Sequence, residues 1–280
     1  MKTAFVNGQY YALADAKISI FDRGMLFGDA VYEVLPVYDG CPFFVEKHLA
    51  RLYSNLEKIK ITAPNIHWNE LITRLISDNG SGDLQIYIQI TRGDQGFRKH
   101  DIPSSLVPSV IAFTIHNTYP TLHEKEQGLS AKLIEDSRWK FCDIKTTSLL
   151  ANILLHDDAV SSGFQTALLV RDGLITEGST SNVFVVNKAG QIETPSLNHT
   201  CLPGITRQVA LDLISELNWP ILEKDISIKE LFDAQEVWIT STTKEIFPVT
   251  RIDDILINNG QAGNYWRAIE QSYRRLINHE

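Results

Sequence analysis

An α+β fold class is predicted for this 280-residue chain on three observations. Strand-like segments outnumber helical ones, the two kinds alternate in no strict β–α–β order, and tight-turn dipeptides join successive strands. Thr3–Val6 and Gln9–Ala12 flank Asn7-Gly8, the dipeptide of a two-residue hairpin. Val31–Tyr38 reads as a strand that turns at Asp39-Gly40 and returns over Pro42–Val45. Leu49, Leu52, Tyr53, Leu56 and Ile59 recur at helical spacing, as do Leu71, Ile72, Leu75 and Ile76. Leu84–Thr91 and Val110–Ile115 are further strands. Between Ile115 and Gly128 the pattern lapses into His116-Asn117-Thr118-Tyr119-Pro120 and a charged stretch, which places a domain boundary there. Residues 1–118 then form a small N-terminal α/β domain and 119–280 a larger C-terminal one. In the latter, strands are predicted at Ala131–Glu135, Thr166–Arg171, Asn182–Asn187 and Glu236–Thr240, and helices at Ser148–Ser161, Gly204–Leu217 and Tyr265–Ile277.

Composition narrows the function classes. With 44% hydrophobic and 21% charged residues the chain can bury at least one real core. A net charge of -8 argues against a nucleic-acid partner, because such a surface repels phosphate. The longest apolar run, Leu149–Leu155, is interrupted by Asn152 and reads as a buried helical turn. It falls well short of the roughly 20 residues that span a bilayer. The N-terminal stretch alternates like a strand and lacks the apolar core of a signal peptide. Cys41, Cys142 and Cys201 are widely spaced and form no Cys-x-x-Cys pair. They read as buried or half-buried free thiols in a reducing cytoplasm, with no disulfide framework and no bound metal.

Several residues are placed where chemistry is expected. Lys145 follows Ile144 and precedes Leu149-Leu150, at the edge of a core, where desolvation lowers an amine's pKa and favours Schiff-base chemistry. Standing alone it reads as a surface charge. Glu177 lies between apolar segments and ahead of the hydroxyl run Ser179-Thr180-Ser181. It suits either a polar turn or a carboxylate facing a buried pyridine nitrogen, which it would keep protonated. Gly204-Ile205-Thr206 opens a helix whose free N–H groups suit an anion, and Ser241-Thr242-Thr243 and Arg51 can add hydroxyls and a bidentate cation to the same phosphate. Arg98-Lys99-His100 lies on a loop between strands and suits a carboxylate.

Taken in order, these residues resemble a known family. The set is Asp22-Arg23-Gly24, Phe27-Gly28-Asp29, Val31-Tyr32-Glu33, His48-Leu49 with Arg51-Leu52, Lys145, Glu177-Gly178 with Ser181-Asn182-Val183-Phe184, and Gly204-Ile205-Thr206-Arg207. It resembles fold-type IV pyridoxal-phosphate (PLP) enzymes over nearly the whole chain. Within that family the hydroxyl run after Glu177, the segment Trp139 with Cys142-Asp143-Ile144-Lys145, and above all Arg98-x-His100 resemble the D-amino-acid aminotransferases. Branched-chain L-amino-acid aminotransferases and aminodeoxychorismate lyases are the alternatives of the same fold.

The resemblance implies a two-domain α+β enzyme with the cofactor in the interdomain cleft, acting as a cytoplasmic homodimer. It implies that Lys145 holds the cofactor covalently and moves the substrate proton. Glu177, Arg51, Ile205, Thr206, Thr242 and Thr180 bind the cofactor, and Tyr32, Arg98 and His100 bind the substrate carboxylate. In the homodimer the loop bearing Arg98 and His100 reaches the partner's active site. D-alanine or D-glutamate would exchange amino groups with 2-oxo acids such as 2-oxoglutarate. Pro36 departs from the D-enzyme pattern, which has lysine there, and Met25-Leu26 and Ala30 depart as well. These departures bear on side-chain preference and not on the carboxylate clamp.

Overall fold

The computed structural model describes residues 2–80 and 82–278. They pack into two compact units: one runs to Thr118 and takes in Ile144–Leu149, and the other comprises Tyr119–Asp143 and the chain from Leu150.

The first unit contains β1 (Thr3–Val6), β2 (Gln9–Ala12), α1 (Arg23–Phe27), β3 (Ala30–Tyr38), β4 (Cys41–Pro42), α2 (Val45–Lys58), α3 (Trp68–Asn79), β5 (Leu84–Thr91) and β6 (Ser109–His116). Its described strands form one antiparallel sheet in the order β2-β1-β6-β5-β3-β4. The opening hairpin sets Val6 opposite Gln9, with Asn7 and Gly8 at φ 49° and 89° as its turn requires. Period-two alternation puts Val31, Leu35 and Val37 of β3 on the face that packs against Leu49, Leu52 and Leu56 of α2 and Leu71, Ile72 and Leu75 of α3. The return after Asp39-Gly40 is shorter than predicted. It ends at Pro42, because Phe44 at φ 51° is already the N-cap of α2.

Two details of β3 matter for the site. The Pro36 carbonyl accepts from the Phe43 N–H at 2.9 Å, so the side on which proline lacks a donor faces the short edge and not β5. Since β4 pairs only with Val37 and Tyr38, the outer edge of the first half of β3 is left to other chain. Ile144–Leu149 takes it: Tyr32 N–H donates to the Lys145 carbonyl at 3.0 Å and Thr147 N–H to that of Ala30 at 3.2 Å.

The second unit contains α4 (Leu122–Gln127), β7 (Leu129–Glu135), α5 (Leu150–Ser161), β8 (Thr166–Arg171), β9 (Leu174–Gly178), β10 (Asn182–Val186), β11 (Ile192–Thr194), α6 (Ile205–Glu216), β12 (Ile221–Glu223), α7 (Ile228–Phe232), β13 (Glu236–Ser241), β14 (Glu245–Ile252), β15 (Ile255–Leu256) and α8 (Asn264–Ile277). Its mixed sheet runs β12-β11-β10-β13-β14-β7-β8-β9, with β15 beside β14. Leu168, Val183, Val185, Val237, Ile239 and Val249 are at the heart of its core. β14 escapes a reading of the sequence because Pro248 interrupts its apolar run, and α4 because its residues are mostly charged. α4 is stabilised by a capping box between Thr121 and Glu124, and by Lys125, whose buried ammonium meets Glu245 at 2.6 Å and Glu270 at 2.8 Å.

Two expectations from the sequence are corrected. In the apolar run, Leu150, Ile153 and Leu154 are 69%, 60% and 59% exposed, and α5 turns Leu155 and Ala159 inward instead. Cys41 is exposed on the edge strand, while Cys142 and Cys201 are buried, and all three are free. No helix among the described residues is long and apolar enough to cross a membrane.

Candidate active site

In the second unit the site is built where β9 turns into β10. Glu177 ends up buried at this turn, and Gly178 N–H closes the turn on the Ser181 carbonyl at 2.6 Å. One Glu177 oxygen receives the Arg138 guanidinium, and the other accepts the Leu202 N–H at 2.9 Å. Arg138 is shared: its Nε and Nη2 also meet Asp136, each at 2.9 Å. Burial pushes the Glu177 carboxyl above its ordinary range, against the pull of Arg138. Arg138 itself is held above its usual value despite burial, by its bond to Asp136 and the charge of Glu177.

Asn182 ties this carboxylate to the start of α6. Its Nδ2 donates to the Leu202 carbonyl at 2.7 Å, and its Oδ1 lies so near Gly204 that a Cβ there would approach it to 2.1 Å. Gly204 is the N-cap of α6 and carries no side-chain cap, so the helix presents its first N–H groups, those of Ile205 and Thr206, without a protein cap. Thr206 is buried and Ile205 half-buried. Thr242 is half-buried in the turn after β13, where the Lys244 N–H bonds Ser241 Oγ at 3.1 Å.

The hydroxyl run sorts differently from its reading in the sequence. Thr180 is exposed, whereas Ser181 is buried, and its Oγ has no hydrogen-bond partner. Thr240 Oγ1, on the residue paired with Asn182 across β10 and β13, is likewise buried and unpartnered. Ser181 belongs to the motif that the sequence offered, though Thr180 was the hydroxyl assigned to the cofactor; Thr240 was missed. The only signal for Thr240 in the sequence was its place next to Ser241.

In the first unit Lys145 is half-buried, with Nζ 4.3 Å from the centre of the Tyr32 ring. That places two of the predicted site residues together. The carbonyl of Gly28 lies 3.3–3.4 Å from the hydroxyls of Thr146, Thr147 and Ser148, and a Cβ on Gly28 (φ 65°) would come within 2.3 Å of Ser148 Oγ. Glycine at 28 thus lets the lysine segment dock. Arg51 sits on α2, its side chain nearly covered, gripping Glu33 through Nε at 2.7 Å and Nη2 at 2.9 Å. Glu33 also meets His48 Nδ1 at 2.8 Å. Burial raises the Glu33 carboxyl, but the charge and hydrogen bonds of Arg51 outweigh it and pull the group down to about 2. Burial pushes the His48 imidazole down, against the pull of Glu33.

The structure also brings Arg98 and His100 together. Both side chains are exposed and both face Phe27, with the Arg98 guanidinium 5.3 Å and the His100 ring 5.3 Å from the ring centre. Among the described residues no group of three or more His, Cys, Asp or Glu side chains is placed to hold a metal ion.

A phosphorylated pyridine needs a carboxylate at its nitrogen, N–H and hydroxyl donors at its phosphate, and a lysine amine at its aldehyde. The uncapped α6 terminus and two buried unpartnered hydroxyls supply donors that are costly to leave unmade, and Glu177 supplies a buried carboxylate, so the residues fit such a group. Residues 30–252 match the profile of the amino-transferase class IV family. The chain is a class IV aminotransferase. The cofactor of this aminotransferase is pyridoxal 5'-phosphate.

The class IV chain is 37% identical over 279 residues to the D-alanine aminotransferase of Bacillus licheniformis, covering 99% of this chain and 97% of that one. It is 35% identical over 271 residues to that of Listeria monocytogenes, covering 96% and 93%. Among solved structures, the branched-chain amino acid aminotransferase of Escherichia coli shares its fold at a TM-score of 0.91 and 26% identity, covering 99% of this chain and 94% of that one. The expected fold-type IV architecture is therefore present.

Proposed function

We propose that this aminotransferase acts on D-amino acids, of the D-alanine and D-glutamate type, with 2-oxo acids such as 2-oxoglutarate as acceptors. The observation that carries the reading is the convergence of Arg98 and His100 on Phe27, two cationic or hydrogen-bonding groups side by side on a loop, suited to a carboxylate. The full-length likeness to D-alanine aminotransferases supports it.

Bound pyridoxal phosphate supplies an electron sink for the charge left when the substrate Cα–H bond breaks. Lys145 Nζ takes the α-proton as general base and returns it as general acid. Tyr32, Arg98 and His100 hold the carboxylate so that the hydrogen of a D-substrate faces that amine, and the opposite hand turns it away. Glu177 keeps a proton at the pyridine nitrogen. Ile205, Thr206, Thr242 and Arg51 hold phosphate, with Thr180 at the edge of the hydroxyl turn. We further propose two domains, residues 1–118 and 119–280, a cytoplasmic location and a homodimer. The exposed Leu150, Ile153 and Leu154 on α5 support a second copy as cover.

A spectral titration tests the substrate reading. D-alanine is expected to convert the cofactor's absorbance to the aminated form while L-leucine leaves it unchanged; conversion by L-leucine alone returns the branched-chain reading. Lys145→Ala is expected to abolish turnover yet still bind PLP non-covalently, and retained turnover rules out Lys145 as the base.

A further inference from the structure

We infer that Arg23 is a positioning residue for the substrate carboxylate, holding in place the loop that carries Arg98 and His100. The inference rests on the carboxylate role proposed above for those two residues. Arg23 begins α1 and is only 4% exposed, yet nearly all of its donors point at that loop. Nη1 reaches Gln95 Oε1 at 3.0 Å, the Lys99 carbonyl at 2.9 Å and the Asp101 carbonyl at 3.2 Å, and Nη2 reaches the His100 carbonyl at 3.3 Å. Nε is anchored on Asp29 at 2.8 Å. Three consecutive carbonyls, 99 to 101, thus converge on one planar fork, which no other side-chain type can match.

The surroundings make this grip rigid. Asp29 is itself clamped by Arg92 Nε at 2.7 Å and Nη2 at 2.9 Å, and Arg92 also donates to the Ile59 and Lys60 carbonyls beyond α2. Asp22 caps α1 through the Gly24 N–H at 2.8 Å and accepts Thr91 and Ser109 hydroxyls from β5 and β6. The Arg23 guanidinium lies 4.8 Å above the Phe27 ring, the same ring that Arg98 and His100 face. Arg23 therefore fixes both the backbone of the loop and the ring against which its two side chains rest.

The test uses the holoenzyme. Arg23→Lys keeps a cation for Asp29 but cannot serve three carbonyls at once. It is expected to raise KM for D-alanine about tenfold, the effect of one lost charge-assisted hydrogen bond, with kcat and PLP content near those of the parent. Trypsin is expected to cut after Arg98 and Lys99 faster than in the parent. Combined with Arg98→Ala, Arg23→Lys is expected to add little to the KM increase, because both act through one clamp. A KM unchanged in Arg23→Lys while Arg98→Ala raises it overturns the positioning role alone. So does full additivity, or a fall in kcat and PLP content with KM unmoved. If Arg98→Ala leaves KM unchanged, the carboxylate reading fails first and the positioning role with it. Should Arg23→Lys fold poorly, Gln95→Ala removes one loop contact of the same fork and is expected to shift KM and trypsin sensitivity in the same direction; no shift in either overturns the inference.

Discussion

Glu33 in the first unit and Glu177 in the second are both buried carboxylates held by an arginine, yet burial and pairing balance differently in the two. Glu33 receives a two-point grip from Arg51 and a third contact from His48, and its carboxyl is drawn down to about 2. Glu177 shares Arg138 with Asp136, and its other strong partner is a single backbone N–H, so burial prevails and its carboxyl is pushed up. The first pair is an anchor that stays charged. The second is a buried carboxylate that its protein partners satisfy less fully, and a ring nitrogen beside it would keep its proton as the added cation that restores the balance.

The two carboxylates are expected to differ most in catalysis. Glu177→Gln is expected to lower kcat about a hundredfold, the scale of losing one preorganised electrostatic partner, whereas the apoprotein should melt no earlier than the parent. A group whose folded pKa is raised contributes stability at low pH and loses it as pH rises, so once ionised Glu177 adds none. Arg138 retains Asp136 in the variant. A large drop in apoprotein Tm with kcat intact would reverse the two assignments.

Glu33→Gln should do the opposite. It leaves Arg51 and His48 without their anion, and the shift from 4.5 to about 2 corresponds to about 3 kcal/mol of stability. That stability is fully present above the unfolded value near 4.5 and is lost as pH falls toward about 2. Acid denaturation curves of parent and variant should therefore converge in that window, and curves that stay parallel to pH 2 remove Glu33 as the anchor. The smallest effect expected separates the two neighbouring hydroxyls: Ser181→Ala should weaken PLP binding roughly fivefold, about one neutral hydrogen bond, and Thr180→Ala less. Equilibrium dialysis of the apoprotein reads both, and the reverse order would put the exposed hydroxyl at the cofactor.

Much of the fold could be read from local pattern. Leu84–Thr91 and Thr166–Arg171 are strands with the predicted bounds, and α2 and α3 follow their apolar spacing, because alternation and helical period are set by neighbours a few residues apart. The elements that were missed depend on distant partners. α4 draws on Glu245 and Glu270 to bury Lys125, contacts 120 and 145 residues away in the chain. The exposure of Leu150, Ile153 and Leu154 follows from which side of α5 met the sheet, and composition carries no record of that choice.

The chemical inventory and its order are legible along the chain: a lysine, a carboxylate before small hydroxyls, a glycine-opened helix, and the pair Arg98 and His100. Side-chain type and spacing are enough for that. Folding settles which carboxylate is drawn down by its partners and which is pushed up by burial, that Ser181 and not Thr180 turns inward, and that Lys145 is hung on the free edge of β3 beside Tyr32. It also settles that Arg23 spends its fork on the loop at 99–101. Each of these depends on desolvation and on hydrogen-bond partners tens of residues away, and those exist only once the chain has folded.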